Sequence, residues 1–345
     1  MQEFASGWKN LDPSMSPVPR QVDYRLLGSA IARVYWELDL VRNWQRNPLF
    51  YLDQSLGAYF HLLLPPPPFD SIRSRHIVET LSSIPRTIAS VKVNLRRPVR
   101  PFASLALDEL KDIRPRLLNS VHQLKPLLDA SSPRDLDSAT ERAIEALESY
   151  RDWLTERLAS MPTGTAVGRD AYIFFLKKVA LIPYTPEQLL AIGRGEWTRS
   201  VAFQSYEEHR HKGQPQLKLF KDQAAQIARE EEEESAVRRY LEAKDILTVP
   251  AWVQHYLFVA IPKYLEPLSG IAESDDFTGP SRLNDNGIPY IAAPSSDLSY
   301  FARADAEDPR TGIVHEGVPR SPFPTLALLG KSRSHPPPLL RLGGQ

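Results

Sequence analysis

Apolar residues recur at intervals of three and four along most of the chain, the spacing of one face of an α-helix. One such face comprises Leu27, Ile31, Val34, Leu38 and Val41, and a later one Ile144, Leu147, Tyr150, Leu154 and Leu158. Prolines separate the helical segments, and no stretch before residue 161 alternates as a β-strand does. The pattern predicts an all-α fold of helical hairpins around a groove, with residues 22–261 almost entirely helical.

Two later helices can be placed more closely. Thr185 is a suitable N-cap, Pro186 fits the first helical position and Gln188 completes a capping box, so a helix is predicted from there to about His211. The next predicted helix, over 221–244, contains five consecutive glutamates, 230–234. An acidic run of this kind is typical of a solvated helix face.

Three segments depart from the helical pattern. Residues 1–20 are polar and rich in proline, and we expect a loose arm. The break at 161–168 is a candidate subdomain boundary. Residues 262–312 are rich in Pro, Gly, Asp and Ser, with a short strand expected near 288–300. We therefore expect one incomplete helical domain over 21–319, followed by a proline-rich tail at 320–345.

Composition narrows the classes of function. Lys plus Arg and Asp plus Glu both number 42, so no net charge favours a nucleic-acid or membrane partner. There is no cysteine, which excludes disulfides, thiolate metal sites and a cysteine nucleophile. The N-terminal residues do not resemble a signal peptide, and no apolar run is long enough to span a bilayer. The sequence predicts a cytoplasmic protein.

The candidate chemistry lies in a few histidines. His61, His76 and His122 stand singly in helical stretches, where a structural role is favoured, and His209 with His211 suits a helix C-terminus. His255 precedes the irregular segment. His315 and Glu316 form the first half of a zinc-hydrolase signature, in which the histidine is a metal ligand and the glutamate activates water. The second histidine of HExxH is missing, because position 319 is proline.

Short blocks spread along the chain are similar to the domain of unknown function 885 family, which is grouped with helical zinc peptidases. The blocks are VDYRLLG at 22–28, GRDAY at 168–172, PYT at 183–185, EW at 196–197, LTVP at 247–250, QHY at 254–256, DD at 275–276, RL at 282–283, DPR at 308–310 and HEGVP at 315–319. They occur in order and cover roughly residues 20–319.

The resemblance implies a metal-dependent hydrolase of peptides. The family motif reads HEGVPGHHFQ, so His315 and Glu316 match a metal ligand and the general base, and zinc is the expected cofactor of intact relatives. Arg320-Ser321-Pro322 stands where Gly-His-His is expected, and the downstream glutamate ligand is missing as well. We therefore expect this chain to bind zinc weakly or not at all, and to be inactive. The expected substrate contacts are made by His255, Arg310 and Tyr290.

A frameshift after Pro319 would explain the tail. Residues 320–345 can be encoded by codons that, read one base later, give GHHFQLSLSWENPDPIRRHYYDSGA. Joined to Val318 and Pro319, this reading restores HEGVPGHHFQ, and its next codons fit an Asn-Glu pair that becomes Gln-stop in the other frame. Two alternatives remain open. One is a non-catalytic helical scaffold or binding protein that kept the groove, and the other is a damaged product without function.

Overall fold

The computed structural model describes residues 2–129, 135–249, 253–269, 274–275 and 284–317. Its α-helices are α1 (Gln2–Lys9), α2 (Val18–Tyr35), α3 (Asn43–Arg46), α4 (Leu49–Leu52), α5 (Ala58–Leu63), α6 (Ser71–Asn94), α7 (Arg100–Glu109), α8 (Ile113–Leu124), α9 (Leu136–Arg157), α10 (Arg169–Phe174), α11 (Pro186–Arg210), α12 (Gln223–Ala243), α13 (Tyr300–Glu307) and α14 (Arg310–Gly312). The predicted all-α class is confirmed. The predicted tail at 320–345 lies outside the described residues.

Shorter helical turns extend or join these helices. π-helical turns cover Trp36–Val41, Asp53–Gly57, Phe175–Val179 and Ile313–Gly317, and 3₁₀ turns cover Lys125–Leu127, Leu158–Ser160 and Glu266–Leu268. All four π turns follow directly on an α-helix without a break. π turns are rare and occur often at functional sites, and one of them contains the His-Glu motif.

The chain divides into two compact units that interleave along the sequence. The first comprises Met1–Leu56, Thr80–Ile113 and Glu141–Gln214, and the second comprises Gly57–Glu79, Arg114–Thr140 and Pro215–Gln345. The predicted boundary at 161–168 therefore falls inside the first unit. The reason is local: the Arg46 guanidinium donates to the carbonyls of Gly164 and Thr165, and the Arg100 amide donates to that of Pro162. These bonds bind the stretch to its own unit.

The N-terminal residues also differ from the expectation. Within the arm predicted at 1–20, Gln2–Lys9 is helical. The indole of Trp8 donates to the Tyr24 carbonyl at 3.0 Å and stacks on the Tyr24 ring. It lies so close to Gly28 that a Cβ there would come within 2.3 Å of the indole. This aromatic contact orders the segment despite its polar composition.

The second unit packs its extended segments against helices. On α8 the Ser120 hydroxyl donates to the Tyr264 carbonyl at 2.6 Å, and the Arg116 guanidinium donates to the Pro267 carbonyl at 2.8 Å. The Tyr264 ring meets Phe69 edge to face. Around them the buried apolar side chains include Tyr59, Phe60, Leu63, Ile77, Leu117 and Leu124.

A small sheet lies in the same unit. Its strands are β1 (Val259–Ala260), β2 (Ser274–Asp275) and β3 (Ile288–Ile291), in the order β1-β3-β2. β1 runs parallel to β3 with Val259 opposite Tyr290, and β2 runs antiparallel to it. The predicted short-strand element near 288–300 is therefore present at the start of that range. Strands of two residues are not stable on their own, so further hydrogen bonds must stabilise their position.

The helical core makes a direct prediction. Leu117 on α8 is fully buried, whereas the adjacent Leu118 is 43% exposed. We expect Leu117→Ala to lower the free energy of unfolding by about 2–5 kcal/mol, because it removes buried methyl groups and leaves a cavity. The matched control Leu118→Ala should change it by less than about 0.5 kcal/mol. Denaturant titration measures both, and equal effects would contradict the assignment of this helix face.

Candidate functional site

The candidate site is built on α12 in the second unit. Asp222 caps the helix, its carboxylate accepting from the Ala225 amide at 2.8 Å. Gln226, Glu230 and Glu234 are spaced four apart, so they share one face, and all three are buried. Glu231 and Glu232, between them, are exposed. The expectation of a solvated acidic face is therefore wrong for Glu230 and Glu234, each of which is only 1% exposed.

The Glu234 carboxylate pairs with two side chains. One carboxylate oxygen accepts from the Nε of Arg238, one helical turn further on, and the other lies 2.8 Å from Nδ1 of His255. A carboxylate accepts and cannot donate, so the hydrogen of this bond is on Nδ1. In the neutral form of the ring, Nε2 is then an acceptor or ligand nitrogen. The His255 side chain is 44% exposed, whereas Glu234 is buried. The ring is therefore held by a buried carboxylate while part of it remains accessible to solvent.

Further bonds fix the chain around His255. Arg238 donates to the carbonyls of Val253 at 3.3 Å and Gln254 at 2.8 Å. The His255 amide donates to the Asn286 side chain at 3.2 Å, and its carbonyl accepts from the Gly287 amide at 2.9 Å. α12 and the loop before β3 therefore hold His255 from two sides.

Glu230 repeats this pattern one turn earlier. Its Oε2 accepts from the Phe258 amide at 3.1 Å, whereas Oε1 is buried and has no hydrogen-bond partner among the described residues. Burial raises the pKa of Glu230 to about 7, the nearby acids Glu234 and Asp305 act in the same direction, and the bond from Phe258 opposes them. A buried carboxyl with a raised pKa is a frequent feature of functional sites, although structural networks produce it too.

The predicted residue Tyr290 has a structural environment. It is buried in β3, and its hydroxyl donates to the Leu64 carbonyl at 2.6 Å. Next to it, the carbonyl of Ile291 accepts from the side chain of Gln223 at 2.7 Å, which ties β3 to the start of α12. The bond to Leu64 occupies the hydrogen of the tyrosine hydroxyl. The predicted contact of Tyr290 with substrate stays a prediction.

The predicted residue Arg310 is paired within its own turn. Its Nε donates to the Asp308 carboxylate at 2.9 Å, and its Nη2 lies 2.5 Å from the second oxygen. The same carboxylate accepts from the Arg310 amide at 3.1 Å, and the arginine holds the pKa of Asp308 below its usual range. This pair begins α14, which leads directly into the His-Glu motif.

The motif itself lies in the π turn Ile313–Gly317. Ile313 is buried against Val249 and Val253, and partly buried side chains of α12, Val237 and Leu241, complete this cluster with Leu247. His315 is exposed. Helix α12 thus packs apolar residues against the motif turn and bonds His255 through polar residues.

Among the described residues there is no group of three His, Cys, Asp or Glu side chains that could hold a metal ion. In that same part of the chain, no helix is long and apolar enough to cross a bilayer. The geometry provides a fixed imidazole, a buried carboxyl of raised pKa and an exposed motif histidine.

Comparison with known families identifies the chain. The model of DUF885, described as bacterial proteins of unknown function, matches residues 3–319. The chain belongs to this family. No curated protein matches it.

A solved structure shows that the fold recurs in a longer protein. It is described as "a putative lipoprotein of unknown function from Shewanella oneidensis", with a TM-score of 0.63 at 14% identity. The match covers 96% of this DUF885 chain and 63% of the other. At this identity the likeness shows the shared fold alone. The chain thus spans less than two thirds of the length of its structural relative.

Sequence reasoning missed Glu230, Glu234 and Arg238. Their spacing of four is visible in the sequence, but the flanking glutamates hide it, and their partners in the following segment lie 15 to 28 residues further on. His255 was singled out as a substrate contact, and the structure gives it a fixed orientation without testing that role.

The raised pKa of Glu230 predicts a pH dependence of stability. Between its ordinary pKa of 4.5 and about 7, the unfolded chain loses this proton while the folded chain keeps it. Stability must therefore fall as pH rises through that window, by on the order of 3 kcal/mol. Glu230→Gln keeps an acceptor for the Phe258 amide but cannot ionise, so it should remove most of this dependence.

Denaturant titrations of both proteins at about pH 5 and about pH 8 test this. The variant should be the more stable protein at the higher pH and nearly equal to the parent at the lower one. The matched control is Glu231→Gln, on the exposed side of the same helix. Parallel pH profiles for the parent and Glu230→Gln would show that the carboxyl is ionised in the fold.

Proposed function

We propose that the intact domain of this family is a metal-dependent hydrolase of peptides and that this chain is an incomplete, inactive form of it. The observation that carries the proposal is the placement of the motif. His315 and Glu316 lie in one helical turn, and that turn is seated on α12 through Ile313. In HExxH-type hydrolases such a turn supplies a metal-ligating imidazole and a general base.

The residues of this chain do not fit a zinc ion. Catalytic zinc usually has three protein ligands, and the described residues contain no such group. The motif's second histidine is replaced in the sequence by Arg320-Ser321-Pro322. Glu316 can act as the general base only where the full set of metal ligands is present. Because this chain lacks that set, we do not expect it to hydrolyse peptides.

Of the three proposed substrate contacts, His255 is supported best. Its ring is fixed by a buried carboxylate and is partly exposed, so Nε2 can bind a hydrogen-bond donor or a cation without reorganisation. Arg310 can reach substrate only by giving up part of its pairing with Asp308. Tyr290 would have to leave its bond to the Leu64 carbonyl. A peptide has the amide donors that a fixed imidazole nitrogen can accept from.

The frameshift belongs to the same proposal. One extra base near the codon for Pro319 would convert the reading GHHFQ into the residues that follow, Arg320 to Pro324. Sequencing the DNA that encodes residues 319–345 decides this. The other frame should give Gly-His-His after Pro319, and any other reading would contradict the frameshift.

A non-catalytic binding protein is the second candidate. The observation in its favour is that the polar bonds of α12 and the seat of the motif turn are made entirely by protein groups. They need no metal to persist, so the surface around His255 remains formed in an inactive chain. The balanced charge supports neither a nucleic-acid nor a membrane partner for either candidate. A cytoplasmic location stays part of the proposal, to be tested by cell fractionation.

Metal content gives the clearest test of the hydrolase proposal. The purified 345-residue chain should retain far less than one zinc per chain after dialysis, whereas a chain with its frame restored after Pro319 should retain about one. In the restored chain His315→Ala should lose the metal. Glu316→Gln should keep the metal but lose peptide hydrolysis, because it removes only the base.

Elemental analysis and a peptidase assay measure these outcomes. Stoichiometric zinc in the 345-residue chain would contradict the assignment of this chain as incomplete. A restored chain that binds no zinc would contradict the hydrolase proposal itself.

A further inference from the structure

Helix α11 in the first unit is exposed along its whole length. None of its residues from Pro186 to Arg210, all of which the structure describes, is buried. Its large apolar side chains are nevertheless numerous, with exposed fractions between 44% and 73%: Leu190, Ile192, Trp197, Val201, Phe203 and Tyr206. Most of the stability of a helix in a protein comes from packing an apolar face, and here no such face is packed.

The apolar residues of α11 form two stripes on opposite sides. At about 100° per residue, Leu190, Trp197 and Val201 lie within about 20° of one line. Ile192, Phe203 and Tyr206 lie on the other side, about 160–220° away. A surface helix has one apolar stripe, whereas a helix that is apolar on opposite sides belongs to the interior of a larger structure. α11 therefore has the sequence of a helix that is covered on both sides.

Helix α2 and the π turn after it, in the same unit, also have exposed apolar side chains. The apolar face predicted there from the sequence is present, but only Val41 of its five members is buried. Ile31, Val34 and Leu38 line an open hollow of about 760 Å³. The helix is formed as predicted, and most of the face that predicted it is not buried.

We propose that α11 and this face of α2 are covered in the intact domain by the polypeptide that follows Pro319 in the alternative reading frame. This rests on the frameshift of the proposed function. The occupant is supported by length, because over a third of the structural relative's chain lies outside the match, so that fold is accompanied there by further polypeptide. It is supported by chemistry too, because the shifted reading begins GHHFQLSLSW, which contains Phe, Trp and two Leu side chains.

A second copy of this chain fits less well. A two-fold dimer uses the same patch on both copies. Such a contact covers one stripe of α11 and leaves the opposite stripe in water. A continuing chain of several helices can pack against both sides of one helix.

The absence of cysteine from the sequence allows a direct experiment. Single cysteines are introduced at Ile192→Cys in one stripe, Val201→Cys in the other and Ser200→Cys between them. The rate of maleimide labelling is then measured in the 345-residue chain and in the frame-restored chain. These residues are exposed, so the substitutions leave the short chain folded.

In the 345-residue chain the three thiols should react at similar rates. In the restored chain the rates at positions 192 and 201 should fall by roughly tenfold or more, and the rate at 200 should fall less, because burial blocks labelling. Unchanged rates at 192 and 201 in a folded restored chain would overturn the proposal. Protection in the short chain, together with a doubled mass in sedimentation, would assign the face to a second copy and overturn it too.

Zinc content of the same samples separates the two proposals. Zinc bound with the thiols still reactive would overturn the covering of α11 and leave the hydrolase proposal standing. Thiols protected without zinc would support the covering and contradict the hydrolase proposal. DNA that does not encode Gly-His-His after Pro319 in the other frame would remove the occupant and overturn this inference.

Discussion

The buried carboxylate of Glu234 is the group on which the candidate site depends. A buried carboxylate is costly unless its oxygens are paired, and here Arg238 and His255 each bond one of them. Arg238 also binds the carbonyls of residues 253 and 254. Loss of either partner would leave one buried carboxylate oxygen without its hydrogen bond. The position of His255 is therefore set by its hydrogen bond to a buried carboxylate on α12.

The same helix fixes the rest of the neighbourhood. Glu230 accepts a hydrogen bond from the Phe258 amide, and Gln223 donates one to the carbonyl of Ile291. Val237 and Leu241 pack against the cluster that contains Ile313 of the motif turn. β1 and β2 are only two residues long, so these side-chain bonds do more to position the segment than the sheet does. One helix thereby sets both the imidazole proposed to contact substrate and the turn that contains His315.

Local signals in the sequence were sufficient for much of the fold. The capping box at Thr185 is present in both directions, at 3.2 and 2.9 Å, and the helices of the first two thirds follow the apolar periods. Each of these depends on residues a few positions apart. The burial of Glu230 and Glu234 could not be found in this way, because it depends on His255 and Phe258. The burial of Tyr290 was still harder to predict, since its partner Leu64 lies 226 residues away.

The tautomer of His255 tests the central claim most directly. ¹⁵N NMR of the imidazole, at a pH high enough for the ring to be neutral, distinguishes the protonated nitrogen from the bare one; the signals of the eight histidines are assigned with a His255→Gln variant. The bond to Glu234 predicts hydrogen on Nδ1 and a bare Nε2, and Glu234→Gln should weaken that preference. Hydrogen on Nε2 in the parent chain, unchanged in the variant, would contradict the account.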